Sequence, residues 1–358
     1  MRDLLHLSTG QLGIALLCAG IGGIASFPLA AWLTARLGAP RSAAWSGSAM
    51  LLALAIIAFS PSLVILMLIL GCLGAAASCC DVAINAIGAA AEKKAGRSIM
   101  SMLHAWFCVG TLAGALSGSM VASLGVAPHV HLMLVAAIMI VPMWLACSTL
   151  SATAQGDNAG PNVTTAGARG ATATATAFKL PSRPLLLLGL IGFCGAIAEG
   201  GIADWSGVFL QDQFGAGPGV APLAYAAFSG AMLAVRLVAD RLKDRFGAKP
   251  VLAVGGMLAA AGIGIAASGI GVAVSIAGFA LAGIGLAGVF PFVFSAAGRA
   301  GPTALAGVAT ISYCGALVGP PLIGFIGEFA GLPVALGGLG GVCMAMAVLA
   351  GRSRCLAS

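Results

Sequence analysis

Long apolar runs, separated by short polar punctuation, fill the sequence from Gly10 to Gly351. A bilayer core takes about 20 apolar residues in helical form. That rule predicts eleven spans, at 10–34, 43–61, 63–91, 99–126, 129–150, 184–211, 219–239, 250–269, 271–297, 303–329 and 332–351. Turn chemistry marks most of the joints: Ser60-Pro61-Ser62, Ala127-Pro128, Gly217-Pro218-Gly219, Gly301-Pro302 and Leu332-Pro333. The runs are much longer than the alternating segments of a transmembrane barrel. The predicted class is therefore an all-α polytopic membrane protein. The stretch 151–183 breaks the pattern: it is polar, rich in Ala, Thr and Gly, and has no helical period. It reads as a flexible cytoplasmic linker between an N-terminal bundle of five spans (1–150) and a C-terminal bundle of six (184–358).

Composition sharpens this reading. The chain is 60% hydrophobic and 8% charged, with a mean hydropathy of +1.08, whereas a soluble domain carries about 25% charged residues. The 53 glycines suit close helix packing in a membrane. A net charge of +7 could suggest a nucleic-acid partner, but the placement of the charges argues against one. If the loop after the first span is cytoplasmic, sixteen of the 17 Lys and Arg residues fall on that side, Arg2 being the exception. The basic residues then act as topology signals beside an anionic leaflet, and the C-terminus is cytoplasmic. The ten cysteines form no metal-like cluster; Cys79-Cys80 are adjacent packing residues. No disulfide, metal, cofactor or cleavable signal peptide is expected.

The unusual positions are polar residues inside the apolar runs. An ionised carboxylate at mid-bilayer costs roughly 2.5–3.5 kcal/mol on insertion scales, so it takes a proton, finds a partner or faces water. Asp81 and Glu199 lie about 16 and 20 Å from the nearest span end, and Asp204 about 12 Å. On a regular helix Glu199 and Asp204 point about 140° apart, unless Gly200-Gly201 loosens the turn. These three are the candidate proton-coupling groups. Asn85 shares a face with Asp81. His104 is a candidate relay or solute ligand. Trp106, Trp205 and Tyr313 are candidate stacking surfaces for a sugar ring or an apolar drug. Arg236 and Arg299 fall at span ends, where they can snorkel. No cation then remains at mid-depth to meet an anion, which favours a neutral or weakly cationic solute. Arg236 and Asp240, four apart, can pair on one helix face.

The halves echo each other: RLGAPR at 36–41 is similar to RFGAKP at 245–250, each following a span and preceding another. Repeated halves joined by a cytoplasmic loop are typical of carriers that rock about a central site. Several stretches resemble the major facilitator superfamily, specifically its bacterial fucose-permease-like group. They are CCDVAINAIG with Asp81 and Asn85, SMLHAWFCVGTLAGA around His104, EGGIADWSGVFL around Glu199 and Asp204, RLVADRLKDRFG at 236–247, GVFPFVFSAAG at 288–298 and ISYCGALVGPPLIGFIG at 311–327. The resemblance covers nearly the whole chain. It implies a two-bundle fold whose first family helix is missing here, leaving eleven. It implies proton coupling through a carboxylate on the stretch that holds Asp81. It also implies a cytoplasmic gate, to which Arg36, Arg236, Asp240, Arg241, Asp244 and Arg245 correspond. Thr34 and Ala35 stand where the family carries an acid before Arg36, so matched ion pairs in both halves are not expected.

The function expected is a secondary active transporter working by alternating access in the bacterial inner membrane. It would be driven by protons, move a small, neutral, sugar-like solute, and act as a monomer with the bilayer as its other partner. No GxxxxGK[ST] stretch and no nucleophile–base constellation occurs, so neither ATP hydrolysis nor another enzyme activity is expected. The alternatives are a drug or metabolite efflux carrier, and a carrier-derived sensor or truncated product that moves nothing.

Overall fold

The computed structural model describes residues 5–95, 100–156, 182–300 and 302–356. Among these, regular structure is entirely helical. In chain order the helices are α1 (Thr9–Ala25), α2 (Phe27–Leu37), α3 (Ala39–Ile57), α4 (Leu63–Ala95), α5 (Met100–Ser123), α6 (Pro128–Gly156), α7 (Arg183–Phe214), α8 (Leu223–Arg236), α9 (Ala239–Phe246), α10 (Ala248–Ala266), α11 (Val272–Leu286), α12 (Val289–Arg299), α13 (Pro302–Ala330) and α14 (Leu332–Arg352). Most of the expected linker, residues 157–181, lies outside the described residues.

By length and apolarity eight helical stretches can cross a membrane, or up to ten if each of two bent pairs is one span. The eleventh expected span, at 43–61, corresponds to α3. It is helical, but Pro40, Arg41, Ser42, Ser46 and Ser48 dilute its apolar character and it is not among those candidates. Two of these serines return their hydroxyls to the helix: Ser46 Oγ donates to Ser42 O at 2.6 Å and Ser48 Oγ to Ala44 O at 2.8 Å.

The bent pairs correct two spans drawn as continuous. α1 and α2 meet at 46°, and α8 and α9 at 55°. Pro28 explains the first bend, because it has no N–H to give the carbonyl of Ile24. The second leaves the helical path at Val238, with φ −117° and ψ 2°. The expected span 219–239 is thus α8 followed by α9, which extends it to Phe246. Beyond each pair comes a glycine in nearly the same conformation: Gly38 at φ 79°, ψ 157° and Gly247 at φ 83°, ψ 153°. These are the glycines of RLGAPR and RFGAKP, so the internal repeat in the sequence is also a repeat of backbone shape.

The chain forms two compact units, Met1–Met100 with Val126–Thr176 and Ser101–Gly125 with Ala177–Ser358. In the first, α1, α2 and α3 pack on α4, and α6 packs on α3. Gly22 lies against the Gly71 backbone and Gly74 against that of Ala19, so α1 and α4 approach almost backbone to backbone. In the second, α7 is the central element, touching α8, α11, α12, α13 and α14. It buries Trp205, Phe209, Leu188, Ile191, Ile202 and Leu210 completely or nearly so. α5 precedes the linker in sequence but belongs to this second unit by its contacts.

Candidate functional site

The second unit gathers a polar cluster on α5, α7, α8 and the α11–α12 joint. Glu199 sits midway along α7, which is one continuous helix from Arg183 to Phe214. Gly200-Gly201 therefore does not loosen it. Gly201 instead makes room for the side chains of Ile323 and Leu339 from α13 and α14. With the helix regular, Asp204 is turned about 140° from Glu199.

Arg236 is the last residue of α8, immediately before the bend. Its Nη2 lies 3.8 Å from Glu199 Oε1; the Arg236 side chain is 6% exposed and that of Glu199 24%. Its Nε donates to the carbonyl of Ala287 at 3.3 Å, and its Nη1 to Cys108 Sγ on α5 at 2.8 Å. The Ala287 carbonyl has a reason to be free. Its helical partner would be the N–H of residue 291, and that residue is Pro291. Two interrupted helices thus meet in one unit: the break in one carries a cation, and the break in the other offers the oxygen that holds it. Irregular backbone at membrane depth is tolerated where protein groups satisfy it in this way.

These contacts correct the sequence reading of Arg236. It does not lie in a loop: it ends α8 with its side chain buried against Glu199, Ala287 and Cys108. Nor does it pair with Asp240 on a shared helix face, because the 55° bend separates them and the i, i+4 relation of a straight helix no longer holds. Arg236 thus puts a buried cation beside Glu199, midway along α7. The charge partner of Glu199 could be found in the sequence only by expecting a bend after α8, and no proline or glycine marks one.

Around the pair are groups that sequence reasoning passed over. Tyr225, on α8, lies within electrostatic reach of Glu199 and Cys108 and faces Ser229 and Thr111. Its ring stacks on Phe228 with centroids 6.0 Å apart. Leu112 of α5 reaches Gly230 of α8, and Ser119 Oγ donates to the carbonyl of Gly219. These contacts, with that of Cys108, tie α5 to α8 and the Gly219 turn of the second unit.

The other expected residues are dispersed. Asp81 is in the first unit, on an exposed part of α4, and Asn85 Nδ2 donates to its backbone carbonyl at 2.9 Å. That confirms their shared face, but the Asn85 amide serves the backbone. Trp205 is fully buried in α7 packing, and its Nε1 finds no hydrogen-bond partner among the described residues. It therefore offers no stacking face in this conformation, contrary to expectation. Trp106 is largely exposed on α5. Tyr313 is exposed on α13, with its ring 6.2 Å from that of Phe294. The side chain of His104 lies outside the described residues. Of the expected gate, Arg36 stacks over Trp32 at 5.7 Å and Arg245 over Phe246 at 5.2 Å. Asp240, Arg241 and Asp244 are exposed on α9.

The chain matches the Major Facilitator Superfamily over residues 1–313 and 207–354. It is 33% identical over 347 residues to an uncharacterized MFS-type transporter of Yersinia pestis, covering 96% of this chain and 85% of that protein. It is 29% identical over 340 residues to the membrane protein MosC of Rhizobium meliloti, covering 94% and 80%. Among solved structures it is similar to the nucleoside transporter NupG, with a TM-score of 0.68, 17% identity and coverage of 97% and 91%. It is also similar to FucP in the outward conformation, with a TM-score of 0.65, 17% identity and coverage of 95% and 89%. At such identities these two structures speak to the fold alone. With the helical bundles, the broken spans and the family match agreeing, the chain belongs to the Major Facilitator Superfamily and is a multi-pass membrane transporter, not an enzyme.

Proposed function

We propose that this secondary transporter is proton-coupled and moves a small polar solute by alternating access across a bacterial inner membrane. It does so as a monomer of eleven spans, five before the linker and six after, with its C-terminus in the cytoplasm. The motifs quoted above support placing it in the fucose-permease-like group.

The observation that carries the coupling is the Glu199–Arg236 pair. A carboxylate and a guanidinium at membrane depth are each costly alone. Together, with Ala287 O and Cys108 Sγ completing the cation's contacts, they form a neutral unit. A proton arriving at Glu199 dissolves the pair, so the arrangement has two electrostatic states, as proton-driven rocking requires. Asp81, in the other unit, is the second candidate proton site; Asp204 is the third.

The expectation of a neutral, sugar-like solute rested on the absence of a mid-depth cation. The buried Arg236 beside Glu199 speaks against that ground for neutrality.

In proteoliposomes with an imposed pH gradient, Glu199→Gln and Asp81→Asn are each expected to abolish gradient-driven accumulation of a transported solute while leaving exchange down its own gradient. Unchanged proton-driven flux in both variants would refute the coupling.

A further inference from the structure

Arg236 is held in a particular way. Nε and Nη1 are anchored to a backbone carbonyl freed by Pro291 and to the Cys108 thiol on α5. Nη2 has the remaining role, and its partner is a carboxylate held at 3.8 Å by a single contact rather than a two-pronged one. The guanidinium is nearly enclosed, whereas Glu199 is about a quarter exposed. Replacing this partner therefore requires no movement of Arg236; the exposed member alone must yield.

We propose that the transported solute carries a carboxylate, which takes the place of Glu199 on Nη2 of Arg236 once Glu199 has accepted a proton. This rests on the coupling proposed above and extends it to the solute. The charge balance leads there. With Glu199 ionised, the pair sums to zero. With Glu199 protonated, a buried cation is left without a counter-charge, which is the costly outcome for such pairs. A solute carboxylate restores the sum to zero, so proton and anion enter together and the loaded site carries the same net charge as the empty one. The proton comes from the bulk and stays on Glu199; no bond of the solute is made or broken. Among the described residues, the ionisable groups facing Glu199 are Arg236 and Tyr225 from α8 and Cys108 from α5, and Arg236 is the cation among them. A neutral polyol would leave Arg236 uncompensated, and an ammonium would add a second positive charge.

The test uses purified full-length protein in detergent and matched acid–neutral pairs: gluconate against glucose, lactate against propane-1,2-diol, and benzoate against benzyl alcohol. Sodium chloride at equal ionic strength sets the baseline. Glu199→Gln fixes the protonated state. It is expected to gain a rise in melting temperature of roughly 2–4 °C from at least one acid at tenfold its Kd, and none from its neutral partner. The wild type should show a rise that grows as the pH is lowered and shrinks as it is raised, because ionised Glu199 competes. The double variant Glu199→Gln/Arg236→Gln carries no unpaired charge and should respond to neither member. An equal shift from the neutral partner, no shift from any acid in the panel, or an acid-specific shift retained by the double variant would overturn the assignment. The flux experiment above reads coupling separately. Lost acid shifts with intact proton dependence reject the anion alone, and retained shifts with unchanged flux reject the coupling alone.

Discussion

At Ser26 and at Arg236 a span breaks, bends by 46° and 55° respectively, runs on as a short helix and ends at a glycine of matching conformation. The backbones of the two regions are alike; their chemistry is not. In the first unit the break is satisfied by neutral groups. Ser26 Oγ donates to Gly23 O at 2.7 Å, and the thiol of Cys79 approaches Ser26 O at 3.8 Å. In the second unit the same place holds a guanidinium that reaches α5, α7 and the α11–α12 joint. The repeat thus supplies a scaffold twice, and only one copy carries a charge. A broken helix at membrane depth needs its freed carbonyls answered, and at the first break the Ser26 N–H turns to the carbonyls of Gly22, Gly23 and Ile24. A buried cation is therefore not what the first break uses, and this difference is why Arg236 is the residue proposed above to serve coupling.

This contrast can be broken experimentally, and the largest effect is expected at the charged bend. Arg236→Met leaves Glu199 without its partner and should cost about 3 kcal/mol of stability, the lower end for a buried pair because Glu199 is partly exposed. Thermal unfolding in detergent would show this, and Glu199→Gln added to Arg236→Met should recover part of the loss. If the two bends are equivalent as scaffolds, Gly38→Ala and Gly247→Ala should cost nearly equal amounts, about 2 kcal/mol each. That cost is backbone strain: nothing lies within 4 Å of a Cβ at Gly38, and at Gly247 only Pro250 is near, at 3.7 Å. Unequal losses would show that the repeat is only apparent. Ser26→Ala should cost about 1 kcal/mol, the worth of an ordinary hydrogen bond, and leave proton-driven flux unchanged. The smallest effect is expected at Asp240→Asn. Asp240 is exposed on α9 beyond the bend, so the change should stay within about 0.5 kcal/mol, and a larger loss would restore it as a latch partner of Arg236.

The same residues show how far the sequence could be read. Apolar runs gave the spans because a bilayer imposes a minimum length on them. RLGAPR and RFGAKP gave the repeat because a glycine at positive φ has few substitutes. Pro28 and Pro291 each free a carbonyl, since a proline has no N–H to donate, but the expected spans ran straight through both. The bend after Arg236 had no such marker, and without it Arg236 looked like the end of a span at the membrane surface. Glu199 was recognisable as anomalous, but its partner lies 37 positions away on a neighbouring helix. Trp205 looked like a stacking surface in EGGIADWSG, and whether its face of α7 was open or packed depended on α7 being central to the second unit.

The sequence by itself therefore determined a helical membrane protein with a repeated stretch ending in glycine and with carboxylates inside its apolar runs. Those properties follow from the solvent and from local backbone chemistry. The tertiary structure alone decided which carboxylate has a cation, that α5 joins the second unit, and that the Ala287 carbonyl freed by Pro291 is answered by Arg236. Electrostatic partnership at membrane depth is set by which helices touch and where they bend, and neither is encoded in the distance between two residues along the chain.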